Sequence, residues 1–213
     1  MFYAKIAFAL LFFYYFDFFT LQTISKILTT KRIVITGAPG TGKTVVVKAL
    51  EEQGYVCFHE VIRTMTAEAK ETGTTKEIKS NPLVFVDDPM AFNTFLLEER
   101  LKHHQKAKTI TEPVSFFDRG TPDVLAYMNF FNQEYGQTFI DTCKNYRYDQ
   151  VFILPPWKEI YVRDNERLET FTQAQELHKH LFDTYEEFNY NPLVVPPASI
   201  TDRVNFVLEN LGN

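Results

Sequence analysis

The octapeptide GAPGTGKT, residues 37–44, constrains this chain more than any other stretch. It satisfies the pattern G-x-x-x-x-G-K-[ST] in full. An apolar run at residues 32–36 precedes it, and KTVVVKALEEQG, which reads as a helix closed by Gly54, follows it. A buried strand, a glycine-rich turn and a helix start in that order make a phosphate cradle. Gly37, Gly40 and Gly42 let the backbone wrap closely around oxygen atoms, with Ala38, Pro39 and Thr41 completing the loop. Loop amides and the helix N-terminus attract the anion. Lys43 is expected to reach the β- and γ-phosphates, and Thr44 to offer its hydroxyl to Mg²⁺.

The same alternation continues along the chain. Short apolar runs at residues 55–58, 113–118, 149–154 and 192–196 read as further strands. Between them lie helical stretches. One begins at Pro89 after Asp88, with Phe92, Phe95, Leu96 and Leu101 on one face. Another has Thr121 as N-cap and Pro122 at its first position. A long amphipathic helix repeats Leu168, Phe171, Ala174, Leu177, Leu181, Tyr185 and Phe188 at helical spacing, and SITDRVNFVLENL closes the chain. The polar stretch at residues 70–88, broken by Gly73 and Pro82, reads as a mobile insertion. Strands alternating with helices predict an α/β fold with a five-stranded parallel sheet covered on both faces.

A second chemical signal is FFDRG. Asp118 ends an apolar strand, where such folds place a carboxylate that holds Mg²⁺ directly or through water. Its neighbour is Arg119, a cation where water-activating ATPases carry a second carboxylate. A guanidinium does not accept a proton at neutral pH. It clamps phosphate or carboxylate instead. This weighs against a hydrolytic motor and favours a site that holds a phosphate acceptor. Asp123, in the first turn of the following helix, faces either substrate or the helix N-terminus. Gly120 permits a close approach.

In HEVIR, Glu60 falls at the carboxyl end of the second strand, the edge where ligands bind in parallel sheets. It is a candidate proton acceptor for a substrate hydroxyl, or an Mg²⁺ ligand through water. Arg63 lies one turn later, and either holds a substrate anion or pairs with Glu60. Arg163 and Arg167 are four apart, so they share one side if helical, and two such cations can close on a triphosphate. The surrounding acids also fit an ordinary surface helix. His103 and His104 are read as solvated, and His59, His178 and His180 receive no role.

Composition removes some alternatives. The chain has 213 residues and a net charge of −5, so a general nucleic-acid surface is not expected. Cys57 and Cys143 have no metal-ligand spacing and read as buried free thiols in a reducing compartment. Residues 1–30 are crowded with Phe and Tyr, but their uninterrupted apolar run of about 11 residues is short of the ~20 a membrane span needs. Three readings stay open for this extension: a spurious or disordered start, a membrane anchor, or a docked helix. With Lys26, Lys31 and Arg32 on its far side, an anchored chain would keep residues 31–213 in the cytoplasm, the expected compartment.

With ITGAPGTGKT, HEVIR, FFDRGTPDVLAY, YRYDQVFILPPW and EIYVRDNERLETF, the chain resembles an AAA-type P-loop ATPase and kinase family. That family includes the kinase-like domain of nicotinamide riboside kinase and an insect GTP-binding trafficking protein. The resemblance covers residues 31–211. It implies a nucleoside-kinase-like P-loop fold with nucleotide and Mg²⁺ held by residues 37–44 and Asp118. ATP is the expected nucleotide, with GTP kept open although no Asn-Lys-x-Asp motif is present. The expected activity is phosphoryl transfer to a small hydroxylated, nucleoside-like acceptor. The alternative is a nucleotide-dependent switch or slow NTPase that recruits a partner or lipid, with membrane contact through residues 1–30.

Overall fold

In a computed structural model, residues 30–62, 88–161 and 170–212 are described. The central strand is β1 (Lys31–Gly37). Its Ile33, Val34 and Ile35 are fully buried, with Val34 facing one layer and Ile33 and Ile35 the other. A strand buried on both faces reads as a continuous apolar run, and that is why KRIVITG lacks alternation. Parallel strands β2 (Val56–Phe58), β3 (Val114–Asp118), β4 (Gln150–Leu154) and β5 (Leu193–Val194) complete the sheet in the order β2-β3-β1-β4-β5. The expected five-stranded parallel sheet is present.

One face is covered by α1 (Lys43–Glu52) and, numbered last in the chain, α6 (Ile200–Glu209). Their Val46, Val47, Leu50, Val204 and Val207 pack on Ile33, Ile35, Phe116 and Phe152. Gly54, at φ 91, closes α1 by donating its N–H to Glu51 O at 2.9 Å. The other face carries α2 (Pro89–Lys106), α3 (Pro122–Phe130), α4 (Gln137–Asn145) and α5 (Phe171–Glu187). The apolar repeat of the long helix holds, with Ala174, Leu177, Leu181 and Tyr185 all buried. A capping box between Thr170 and Gln173 fixes its start.

Two local expectations change. The buried face of α2 is Asn93, Leu96, Leu97, Arg100 and His104, so two groups that titrate or carry charge stand where an apolar stripe was expected. His104 is therefore not solvated; it bonds Arg147 O at 2.8 Å and lies edge-on to Tyr146 and Tyr148. At α3, Thr121 occupies the N-cap position but makes no side-chain cap bond. Asp123 takes the local role, accepting the Gly120 N–H at 2.9 Å. The insertion read at residues 70–88 lies outside the described residues up to residue 87, as do residues 1–29 and Leu168. Among the described residues, no helix is long and apolar enough to cross a membrane.

Candidate active site

The phosphate loop runs from the end of β1, at the sheet centre, into α1. Gly40 and Gly42 sit at φ 78 and 83, a left-handed conformation that other residues adopt only with strain. A Cβ on Gly40 would stand 2.9 Å from the Tyr161 ring, so the loop surface leaves no room for a side chain. Thr41 Oγ1 and Lys43 Nζ both donate to Ala38 O, at 2.9 and 2.8 Å. Thr44 is half-buried in the first turn of α1. Burial, and then the Arg119 charge, bring the Lys43 ammonium down to about 7; Asp118, Glu60 and Asp123 pull the other way.

Asp118 is buried at the tip of β3, beside the last turn of β1, where Arg119 N–H donates to Ile35 O at 3.1 Å. Arg119 itself has φ 78, costly for a side chain of its size. That backbone turn points its guanidinium back under the loop. There it pairs through Nε with Glu60 Oε2, and through Nη1 with Asp123 Oδ1 at 3.2 Å. Nη1 also reaches Gly37 O at 3.4 Å, and the guanidinium stacks 5.0 Å from the Tyr127 ring centre. Arg119 is thus an internal clamp between β2, the phosphate loop and α3, and only 10% of its side chain is exposed.

Glu60 follows β2 and is nearly buried. Arg63, offered by the sequence as a partner, lies outside the described residues; Arg100 of α2 and Arg119 hold Glu60, Arg100 Nη2 at 3.1 Å. Burial pushes the Glu60 carboxyl up, but the two guanidinium groups outweigh it and leave it below the usual carboxylate range. Arg100 also donates to Gly120 O at 3.2 Å.

Asp123 is sealed from solvent. Its oxygens accept from Thr36 Oγ1 at 2.5 Å, Tyr185 OH at 2.6 Å, Gly120 N and Arg119. Substrate contact, one of the two roles expected for it, is replaced by a structural one: it ties β1, the Asp-Arg-Gly turn, α3 and α5 together. The close approach at Gly120 is likewise internal, since a Cβ there would lie 2.6 Å from Tyr185 OH.

Lys43, Glu60, Asp118, Arg119 and Asp123 therefore converge on one sheet edge. Arg63, Arg163 and Arg167 lie outside the described residues. Sequence reading missed Arg100, Thr36, Tyr185 and Arg203. Arg100 had a usable signal, because it lies four residues after Leu96 on the buried face of a helix. The others meet their partners from 87, 62 and 162 residues away.

An AAA domain family matches residues 32–203. The chain belongs to that family. No curated relative matches it in sequence. Among solved structures it is similar to a deoxyadenosine kinase from M. mycoides with product dCMP and a flexible dCDP bound. The identity is 19% and the TM-score 0.58, covering 84% of this chain and 98% of that one. It is also similar to a NadR protein in complex with NR, at 16% identity and TM-score 0.60. That match covers 87% of this chain and 52% of the NadR chain, so this chain spans about half of NadR. A thymidylate kinase from Ehrlichia chaffeensis gives 13% identity and TM-score 0.57 over 85% of this chain and 98% of its own. The fold of this AAA domain is thus that of P-loop nucleoside and nucleotide kinases.

Proposed function

We propose that this AAA domain is an Mg²⁺-dependent phosphotransferase that passes the γ-phosphoryl group of ATP to a hydroxyl of a nucleoside-like acceptor. The observation that carries this reading is the placement of Glu60. Its ionised carboxylate is held by Arg100 and Arg119 at the same sheet edge as Lys43, while the position after Asp118 is filled by a cation. A carboxylate set one strand away from Asp118 suits a bulky acceptor better than a single water. Arg63, Arg163 and Arg167 are proposed to face acceptor and transferring phosphate.

The residues fit the groups the reaction needs. The left-handed turns at Gly40 and Gly42 bend the loop backbone in the way an anion-binding nest of amides does. Thr44 and Asp118 offer hard oxygen donors of the kind Mg²⁺ takes. Bound there, Mg²⁺ would neutralise phosphate charge. Lys43 exchanges the Ala38 carbonyl for a phosphate oxygen. Loop amides orient the triphosphate. Glu60, kept ionised by its two guanidinium partners, accepts the hydrogen bond of the acceptor hydroxyl and aligns its oxygen. A carboxylate of lowered basicity takes the proton late, which suits a loose phosphoryl transition state. Asp123 holds Arg119, and so the whole turn, in register with the loop.

Incubating the purified chain with γ-labelled ATP and a panel of nucleosides tests this. Label should move to a nucleoside product, and Lys43→Ala should abolish transfer. Label released only as free phosphate with every acceptor would sink the proposal and favour a slow NTPase.

A further inference from the structure

Arg203, on α6, has no part in the cluster around Arg119. It is 5% exposed and makes no ion pair among the described residues. Its Nη1 donates to Thr41 O at 3.2 Å, from 162 residues away in sequence. Its Nε has no hydrogen-bond partner among the described residues. A Cβ added to Gly42 would lie 2.7 Å from Nη1, so the guanidinium sits hard against the back of the phosphate loop. The flanking Val204 and Val207 are locked in the core, and Ser199 caps the helix through Asp202 N–H. The guanidinium therefore has little freedom to leave.

For stability alone this is a poor use of a cation. A buried charge facing one neutral carbonyl costs solvation that an apolar side chain would not. The geometry of the peptide unit suggests another use. Thr41 C=O and Gly42 N–H belong to one planar trans peptide, so they point in opposite directions. Gripping Thr41 O from behind turns the Gly42 N–H into the concave side of the loop. We infer that Arg203 is a positioning residue for phosphate binding: it fixes the direction of the Gly42 amide and adds positive potential behind the cradle. This rests on the reading of residues 37–44 as a phosphate site.

The test compares ADP and ATP binding by calorimetry in the unaltered chain, Arg203→Lys and Arg203→Met, well below each melting temperature, and follows the Gly42 amide by ¹⁵N NMR. Arg203→Met should bind both nucleotides roughly three- to tenfold more weakly, the range of one lost hydrogen bond. Arg203→Lys, which keeps the charge, should recover part of that loss. The shift of the Gly42 amide on adding ADP should shrink in both variants. Should Arg203→Met not fold, Arg203→Lys carries the comparison. Unchanged affinity with an unchanged Gly42 shift would overturn the inference and leave the phosphate site standing. Failure of the unaltered chain to bind either nucleotide would overturn the phosphate site, and the inference with it.

Discussion

Replacing Asp123 by Asn changes one atom of the carboxylate and tests the internal frame of the site. Oδ1 accepts from Thr36 and Arg119; Oδ2 accepts from Gly120 N–H and Tyr185 OH. Whichever oxygen becomes NH₂ then faces a donor that cannot turn round, either the Arg119 guanidinium or the Gly120 amide. The hydroxyls can rotate; those two cannot. Arg119 also loses a counter-charge in a buried place. Removing one partner of such a pair costs about 3–5 kcal/mol. For a chain of this size that is a fall in Tm of roughly 6 to 20 °C. Urea unfolding followed by circular dichroism should show a lower midpoint with an unchanged slope.

The pH dependence gives a second readout. Burial pushes the Asp123 carboxyl up, but Arg119, then Arg100, Thr36 and Tyr185 outweigh it and hold it below its ordinary 3.8. Its contribution is thus fully present above that value and is lost as pH falls through the lower native one. The gap between the two proteins should narrow in that acid window. A loss below ~1 kcal/mol at neutral pH would refute the view of Asp123 as the anchor.

Three further outcomes follow from the same geometry. Since Lys43 is brought down to about 7, ATP affinity should weaken from pH 7.5 to 9, by at most about tenfold per unit, with proton uptake seen by calorimetry in two buffers; no uptake at pH 8 would count against a neutral lysine. Gly37→Ala should cost more stability than Gly40→Ala by thermal melting, because a Cβ at 37 collides with the fixed Leu154 carbonyl of β4 whereas one at 40 meets a movable Tyr161 ring; adding Tyr161→Ala should recover part of the second loss only. Glu60→Gln should lower kcat by about 100-fold while leaving the KM for ATP nearly unchanged; an equal loss in ATP affinity would place Glu60 at the nucleotide instead.

The phosphate loop could be read from sequence because its chemistry is local: glycines, lysine and threonine act within eight consecutive positions. The inner strands β1, β3 and β4 could be read because burial on both faces demands a nearly unbroken apolar run. Partners of the acidic and basic groups could not. Arg119 looks like a ligand clamp in FFDRG, yet its left-handed backbone turns it inward to Glu60 and Asp123. Periodicity reports which side of α2 is buried, but not that Arg100 on that side meets a carboxylate 40 residues earlier. His104 illustrates the same limit, since its polar side chain is accommodated by a carbonyl and two tyrosine rings contributed by another segment.

The strand order also sets a timetable for synthesis. Among the described strands β1 is made first but occupies the centre, with β3 and β4 as neighbours. Lys31 aligns with Val114, and Ile33 with Gln150, so both edges of RIVIT stay open while the ribosome adds more than 80 residues. At typical elongation rates the first edge alone waits roughly 4 to 16 s. An apolar strand with two open edges is a template for pairing with another chain. The segment that will carry the phosphate loop is thus the one most in need of chaperone cover on the nascent chain, and its exposure ends only when β4 has emerged.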